Sequence, residues 1–232
     1  MLTEKCDHTI IACLFPDQVI TEEANPVFSE GTLYPQEEAF ICNAVPKRKQ
    51  EFIAGRLCAR RALAQVAIRN FPILMATDRS PIWPPGIIGS ISHTEGYCGV
   101  ALARKTEIES VGFDAECVGR LERDYWKAIC TKQELSWIHS LPLDVQQEYI
   151  ALIFSAKECF YKCQYTTSKR WVNFHDITIS VNPNIGEFEA RYMADTDLFF
   201  AKGTCHKGKF FFHRGYIFTG MTVGDSNNRS DI

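Results

Sequence analysis

No stretch of this chain stays apolar over the roughly 18 residues that a membrane-crossing helix requires, so no membrane span is expected. Its start, MLTEKCDHTIIACLFPDQ, places acids on both sides of a short apolar run and offers no small-residue cleavage site, so no signal peptide is expected. Strong charge of one sign is also missing. The 25 Lys and Arg against 28 Asp and Glu leave a formal net charge of −3, which argues against a protein that coats nucleic acid through bulk charge. The ten cysteines form no CxxC pair and the six histidines do not cluster, so a zinc site of ordinary spacing lacks its ligands. The motifs GxxxxGKS/T, HExxH and GxSxG are all absent, which leaves P-loop, zincin and α/β-hydrolase chemistry without support. No internal repeat of roughly 20–50 residues is visible.

What is present is an ordinary globular composition. Across 232 residues, 46% are hydrophobic and 23% charged, enough for one or two domains with a sizeable core. Most cysteines sit in apolar runs, where a free thiol behaves as a small hydrophobe. A chain of this size needs no disulfide scaffold, so reduced thiols and a cytoplasmic protein are expected.

The apolar run at 8–15 reads as a buried strand, and 22–40 as a loop-rich connection. Residues 47–69 read as a long helix with Phe52, Leu63, Val66 and Ala67 on its core stripe, unable to pass Pro72 intact. A proline-dense linker, DRSPIWPPG at 78–86, precedes a hairpin turning at Glu95-Gly96. Residues 108–118 alternate as a strand, with Val111, Phe113, Ala115 and Cys117 opposite Gly112, Asp114 and Glu116. Helices are expected at about 122–139 and 145–165, the first interrupted by a capping box from Thr131 to Glu134. Strands and turns fill 174–219, and the polar tail at 224–232 is expected to be disordered. Helix plus strands in each half suggests two α+β lobes meeting near residues 104–110.

Four stretches could carry chemistry. Asp114 and Glu116 lie two apart on a strand and project from one face about 6.5–7 Å apart. Converging carboxylates offer the hard oxygen ligands that Mg²⁺ takes, although the exposed face of any half-buried strand would look the same. In FSAKECFYK (154–162), Glu158 and Lys162 share a helix face. They fit either a surface ion pair or a metal ligand beside a phosphate-binding ammonium. Residues 47–69 hold seven Lys or Arg against the single acid Glu51, and Arg48, Arg56 and Arg60 fall within about 120° of one another. That face suits a phosphomonoester, an acidic protein or nucleic acid, or simply solvent. In GSISHT (89–94), Ser92 and His93 add donors at a strand end.

Taken in order, GRLCARRAL (55–63), RSPIWPPGIIGSISH (79–93), VGFDAE (111–116) and FSAKECFYK (154–162) resemble the 4′-phosphopantetheinyl transferases of the surfactin- and enterobactin-activating group. The resemblance covers roughly residues 47–165, with about forty residues between the acidic pair and the FSAKE helix. It implies an α+β fold of two similar lobes related by a pseudo-twofold axis. Residues 1–106 would serve the 3′-phosphate side of coenzyme A, residues 107–223 the metal and catalysis, and 224–232 would form the tail. It implies transfer of the phosphopantetheine arm from coenzyme A to a serine of an apo acyl, peptidyl or aryl carrier protein, releasing adenosine 3′,5′-bisphosphate. Asp114, Glu116 and Glu158 match the family's Mg²⁺-binding acids. Lys162 matches the lysine on the pyrophosphate, with Lys157 beside it. Arg48, Arg56, Ser92 and His93 match 3′-phosphate contacts, and Arg79 a basic position in the linker. The serine's proton would go to Glu158, or to Glu116. Met75 stands where some relatives carry lysine. A monomer without nucleic-acid or membrane partners, working on siderophore or other secondary-metabolite carriers, is the accompanying expectation. The competing readings are a Mg²⁺-dependent phosphodiesterase or nuclease and a non-catalytic phosphate-binding module.

Overall fold

The computed structural model describes residues 9–29, 31–194 and 202–224. In chain order the elements are β1 (Ile20–Ala24), α1 (Pro35–Glu38), α2 (Pro46–Gln65), β2 (Ile87–Thr94), β3 (Tyr97–Arg104) and β4 (Ser110–Cys117). There follow α3 (Arg123–Ile129), α4 (Lys132–Ser140), α5 (Gln146–Ser168), β5 (Ile177–Asn182), β6 (Glu187–Tyr192), β7 (Cys205–His213) and β8 (Tyr216–Val223). The strands form two antiparallel sheets. One runs β1-β3-β2 and packs against α2; the other runs β4-β8-β7-β6-β5 and packs against α5. The architecture is therefore the expected α+β one, with a long helix laid on an antiparallel sheet in each lobe.

The two lobes also share a device that holds their helices in place. In the first, Glu37 is fully buried: Oε2 accepts from Tyr34 N at 2.9 Å and faces Arg60 of α2 at 3.5 Å, while Oε1 accepts from Ile73 N at 2.8 Å. In the second, Glu134 Oε2 accepts from Thr131 N and from Lys157 Nζ of α5, both at 2.7 Å, and Oε1 accepts from Ile179 N at 2.7 Å. A buried carboxylate is costly unless each oxygen has donors, and both glutamates meet that condition.

The sheets are joined where β2 lies alongside β4. No backbone ladder runs between them; two serine hydroxyls take its place. Ser90 Oγ donates to Phe113 O at 3.2 Å and accepts from Phe113 N at 3.1 Å, and Ser92 Oγ accepts from Ala115 N at 3.3 Å. The two serines sit two residues apart and so face the same neighbour.

Some sequence expectations need correcting. In the run at 8–15, of which residues 9–15 are described, Ile10–Leu14 forms a 3₁₀ helix and not the expected strand, and Ile11, Leu14 and Phe15 are buried in one cluster with Phe113 and Phe218. The loop-rich connection at 22–40 also holds the last three residues of β1 and all of α1. Helix α2 ends at Gln65, because Ala67 is left-handed at φ 65° and Ile68 N turns back to Leu63 O. Ala67 is consequently exposed, and Arg69 stands outside the helix. The hairpin, the alternation in β4 and the Thr131 capping box appear as the sequence suggested. The tail beyond Gly224 lies outside the described residues.

Candidate active site

Strand β4 and helix α5 approach unusually closely, and a glycine permits it. A Cβ added at Gly112 would stand 2.1 Å from the backbone oxygen of Cys159, so any side chain there would push the helix away. Because the helix is close, Lys162 reaches the strand: its Nζ lies 2.6 Å from Asp114 Oδ1 and 3.0 Å from Ser92 Oγ. Ser92 Oγ in turn donates to Asp114 Oδ1 at 2.8 Å. Three elements from both lobes therefore meet at one carboxylate.

That carboxylate is nearly inaccessible, yet its second oxygen, Oδ2, is buried and has no hydrogen-bond partner. Glu116 and Glu158 add to the imbalance. Burial, the Asp114 charge and the Glu158 charge push Glu116 up to about 7, despite Lys162 nearby. Burial also raises Glu158, with Lys162 opposing and Asp114 adding to the rise. Burial works against the Lys162 charge, but Asp114 and Glu158 outweigh it and hold the ammonium firmly protonated. Three carboxylates thus share one ammonium.

The donor set is all oxygen, which suits Mg²⁺. The unpartnered Asp114 oxygen and the mutual repulsion of the acids are what a divalent cation would relieve. Among the described residues, however, no three His, Cys, Asp or Glu side chains already stand in metal-holding array. Lys162 rests on the Asp114 oxygen instead.

A second cluster lies on α2 and the end of β2. Arg48, Glu51, Phe52, Arg56, Met75, Arg79 and His93 line one small cavity. Arg56 is buried, with its guanidinium 4.1 Å over the Phe52 ring and its Nε unpartnered. Burial pushes it down to about 10, Glu37 opposing and Arg48 and Arg60 adding to the fall. The unpartnered Nε leaves the buried guanidinium a donor that no protein group uses. His93 Nε2 lies 2.6 Å from Arg48 Nη1, and its Nδ1 faces Glu51 Oε2 at 3.5 Å.

Between these clusters runs a cleft of about 240 Å³, lined from one side by Asp78, Arg79, Pro81 and Trp83 and from the other by Tyr161, Lys162 and Tyr165. Arg79, Pro81 and Ile91 line both cavities, so the two adjoin. Arg79 is left-handed, at φ 69°, an uncommon state for a non-glycine residue. Tyr165 Oη donates to Asp78 Oδ2 at 2.7 Å across the cleft.

The candidates Asp114, Glu116, Glu158, Lys162 and Ser92 therefore gather at one end, and Arg48, Arg56, Arg79 and His93 at the other. Lys157 does not join them. It is fully buried on the far side of α5, where its Nζ donates to Glu134 and to the carbonyls of Ile129 and Phe174 at 2.7–2.9 Å. With three partners it has no donor for coenzyme A, and the expected role beside Lys162 is withdrawn. Glu51, Asp78, Trp83 and Tyr165 line the site without having been singled out. Glu51 carried a signal, being the one acid on a basic face, three residues from Arg48.

Residues 36–103 match the 4′-phosphopantetheinyl transferase N-terminal domain, and residues 110–217 the 4′-phosphopantetheinyl transferase superfamily. The chain is 35% identical over 190 residues to 4′-phosphopantetheinyl transferase Svp of Streptomyces mobaraensis, covering 79% of this chain and 76% of that protein. It is 32% identical over 225 residues to 4′-phosphopantetheinyl transferase PptT of Mycobacterium tuberculosis, covering 93% and 98%. Enterobactin synthase component D of Salmonella typhi matches at 34% over 148 residues, 62% of this chain and 60% of that protein.

Proposed function

The chain belongs to the 4′-phosphopantetheinyl transferases, which move the phosphopantetheine group of coenzyme A onto carrier proteins, and from that premise we propose which residues perform the transfer here. Arg56, with Arg48, Arg79 and His93, holds the 3′-phosphate of the nucleotide. Lys162 holds the pyrophosphate. The observation that carries this reading is a pair of unsatisfied buried atoms, the Arg56 Nε in the cavity that Arg79 also lines and the Asp114 Oδ2 on the carboxylate that Lys162 of the neighbouring cleft contacts. One asks for an anion and the other for a cation, as a nucleotide bound with its metal would supply.

Asp114, Glu116 and Glu158 are the residues that would hold Mg²⁺. When bound, the ion supplies neutralisation of pyrophosphate charge, which phosphoryl-type transfer needs alongside positioning. Glu158 receives the proton of the carrier serine on a carboxylate oxygen, and Glu116 is the second candidate. In the metal-free protein burial raises both above the ordinary carboxylate value, which makes either a stronger proton acceptor. Lys162, held protonated, gives its proton or its charge to the leaving phosphate. On this proposal residues 1–106 hold the nucleotide and 107–223 carry the transfer.

We further propose that the carriers are those of siderophore or other secondary-metabolite assembly, on the likeness to enterobactin synthase component D, and that the chain works as a monomer. No helix among the described residues is long and apolar enough to cross a membrane. The described cysteines are all free, which suits the cytoplasm as the proposed compartment.

The test incubates purified protein with coenzyme A, Mg²⁺ and a panel of apo carriers, and follows the gain of one phosphopantetheine arm by intact-protein mass. Glu158→Gln is expected to lose transfer while still binding coenzyme A, and EDTA to stop the wild-type reaction. Retained turnover by the variant, or transfer indifferent to EDTA, refutes the assignment.

A further inference from the structure

The 3′-phosphate cavity contains an acid, Glu51. A carboxylate in a pocket meant for a phosphate should repel it, so its presence needs a reason. The reason lies in the ring beside it. Arginine has donors and no acceptor, so the 2.6 Å contact of Arg48 Nη1 with His93 Nε2 requires a lone pair on that nitrogen. The free protein therefore holds His93 neutral, with its proton on Nδ1, the nitrogen that faces Glu51 Oε2 at 3.5 Å. Glu51 Oε2 also stands 3.5 Å from Arg48 Nη1, closing the triangle. The charged groups that act on the ring are Glu51 and Arg48 of α2, which contact it, and, at longer range, Asp114 of β4 and Lys162 of α5.

We propose that Glu51 is a positioning residue for the 3′-phosphate: its charge beside Nδ1 orients the His93 ring and lets Nε2 take a proton when the phosphate arrives. This rests on reading the cavity as the 3′-phosphate site. As Arg48 turns to the phosphate, Nε2 loses its donor and would present a lone pair to an anionic oxygen. Uptake of one proton from solvent converts it into a second donor, leaving an imidazolium between two anions. Without Glu51 that imidazolium would face Arg48 and Lys162 with Asp114 as the only compensating charge from the protein. Burial holds the free ring below its ordinary value, with Glu51 the largest influence raising it.

The two physical pictures predict opposite results. If Glu51 acts only through repulsion, neutralising it tightens coenzyme A binding. If it positions and charges the ring, neutralising it weakens recognition of the phosphate near neutral pH and spares it in acid. The experiment titrates coenzyme A and 3′-dephospho-coenzyme A calorimetrically into wild type and Glu51→Gln, between about pH 5.5 and 8.5, bracketing the imidazole range. The ratio of the two dissociation constants isolates the phosphate. For wild type the ratio favours coenzyme A and falls as pH rises, and proton uptake, read from buffers of different ionisation enthalpy, accompanies coenzyme A alone. For Glu51→Gln the fall is expected about one pH unit lower, a loss of about tenfold in the ratio between the two midpoints. Glu51→Asp keeps the charge and is expected to keep the proton uptake.

A Glu51→Gln ratio that is unchanged, raised, or lowered equally at every pH overturns the proposal, the last because it marks a merely structural role. So does an aspartate variant that behaves like the glutamine one. A wild-type ratio of one throughout would instead sink the reading of the cavity itself, and the proposal with it.

Discussion

Glu116→Gln should stabilise the metal-free protein while ending its activity. Glu116 titrates near 7 in the folded chain against an ordinary 4.5, because it is half-buried beside Asp114 and Glu158. The folded state therefore holds this proton more tightly than the unfolded state. At pH below 4.5 both states are protonated and nothing is lost. As pH rises from 4.5 towards 7, the unfolded chain ionises first and folding stability falls, and above 7 the full loss is present. The difference of about 2.5 units corresponds to at most about 3–4 kcal/mol, and partial solvent access reduces it to about 1–3 kcal/mol. Glutamine has the same shape and no charge to lose. In urea denaturation without divalent cations, the variant should be more stable by that amount near pH 8 and by under about 1 kcal/mol near pH 5. Mg²⁺ with coenzyme A should raise the wild-type midpoint by mass action and raise the variant's much less. A variant destabilised near pH 8, or changed equally at both pH values, would refute the conflict among the three carboxylates.

Gly112→Ala should cost at least about 3 kcal/mol or prevent folding, since the added methyl would stand 2.1 Å from the Cys159 carbonyl; thermal unfolding reads this, and an unchanged melting temperature contradicts it. Lys157→Met should cost about 3–5 kcal/mol by leaving Glu134 buried and unpaired, yet its folded fraction should bind coenzyme A with the wild-type dissociation constant; a selective loss of affinity would restore Lys157 to the site. Tyr165→Phe removes the exposed tie to Asp78 and should change stability by less than about 1 kcal/mol, checked by the same denaturation.

Much of the site could be read along the chain because its parts are local. A strand's period of two places Asp114 and Glu116 on one face, and a helix's i, i+4 spacing places Glu158 beside Lys162. The hairpin and the capping box at Thr131 are likewise decided by neighbours in sequence. The 3₁₀ helix at Ile10–Leu14 was also legible, though misread: Ile11, Leu14 and Phe15 are spaced i, i+3, i+4, a helical and not a strand period. The end of α2 was less so. Ala67 signals no stop by residue type, yet it adopts positive φ; Asn70, a type that tolerates that state, does so only five residues past the helix end. Lys157 was beyond reach in the same way. It sits next to Glu158 in sequence, and only the direction of one helical residue step separates a cleft-facing carboxylate from a core-facing ammonium. The paired glutamates left a faint echo in Gln36-Glu37 and Gln133-Glu134, but their shared role depends on Ile73 and Ile179, residues 36 and 45 positions downstream.

The order of side chains along the chain determined the family, the α+β plan and the candidate acids and bases, since each depends on short spacings that survive without knowledge of the fold. Tertiary structure decided which of those charges meet. The close approach of α5 to β4 over Gly112, the serine-stitched seam between the sheets and the depth at which each group is buried are all contacts across long loops. Electrostatic energy varies with distance and solvent access, neither of which a linear sequence contains.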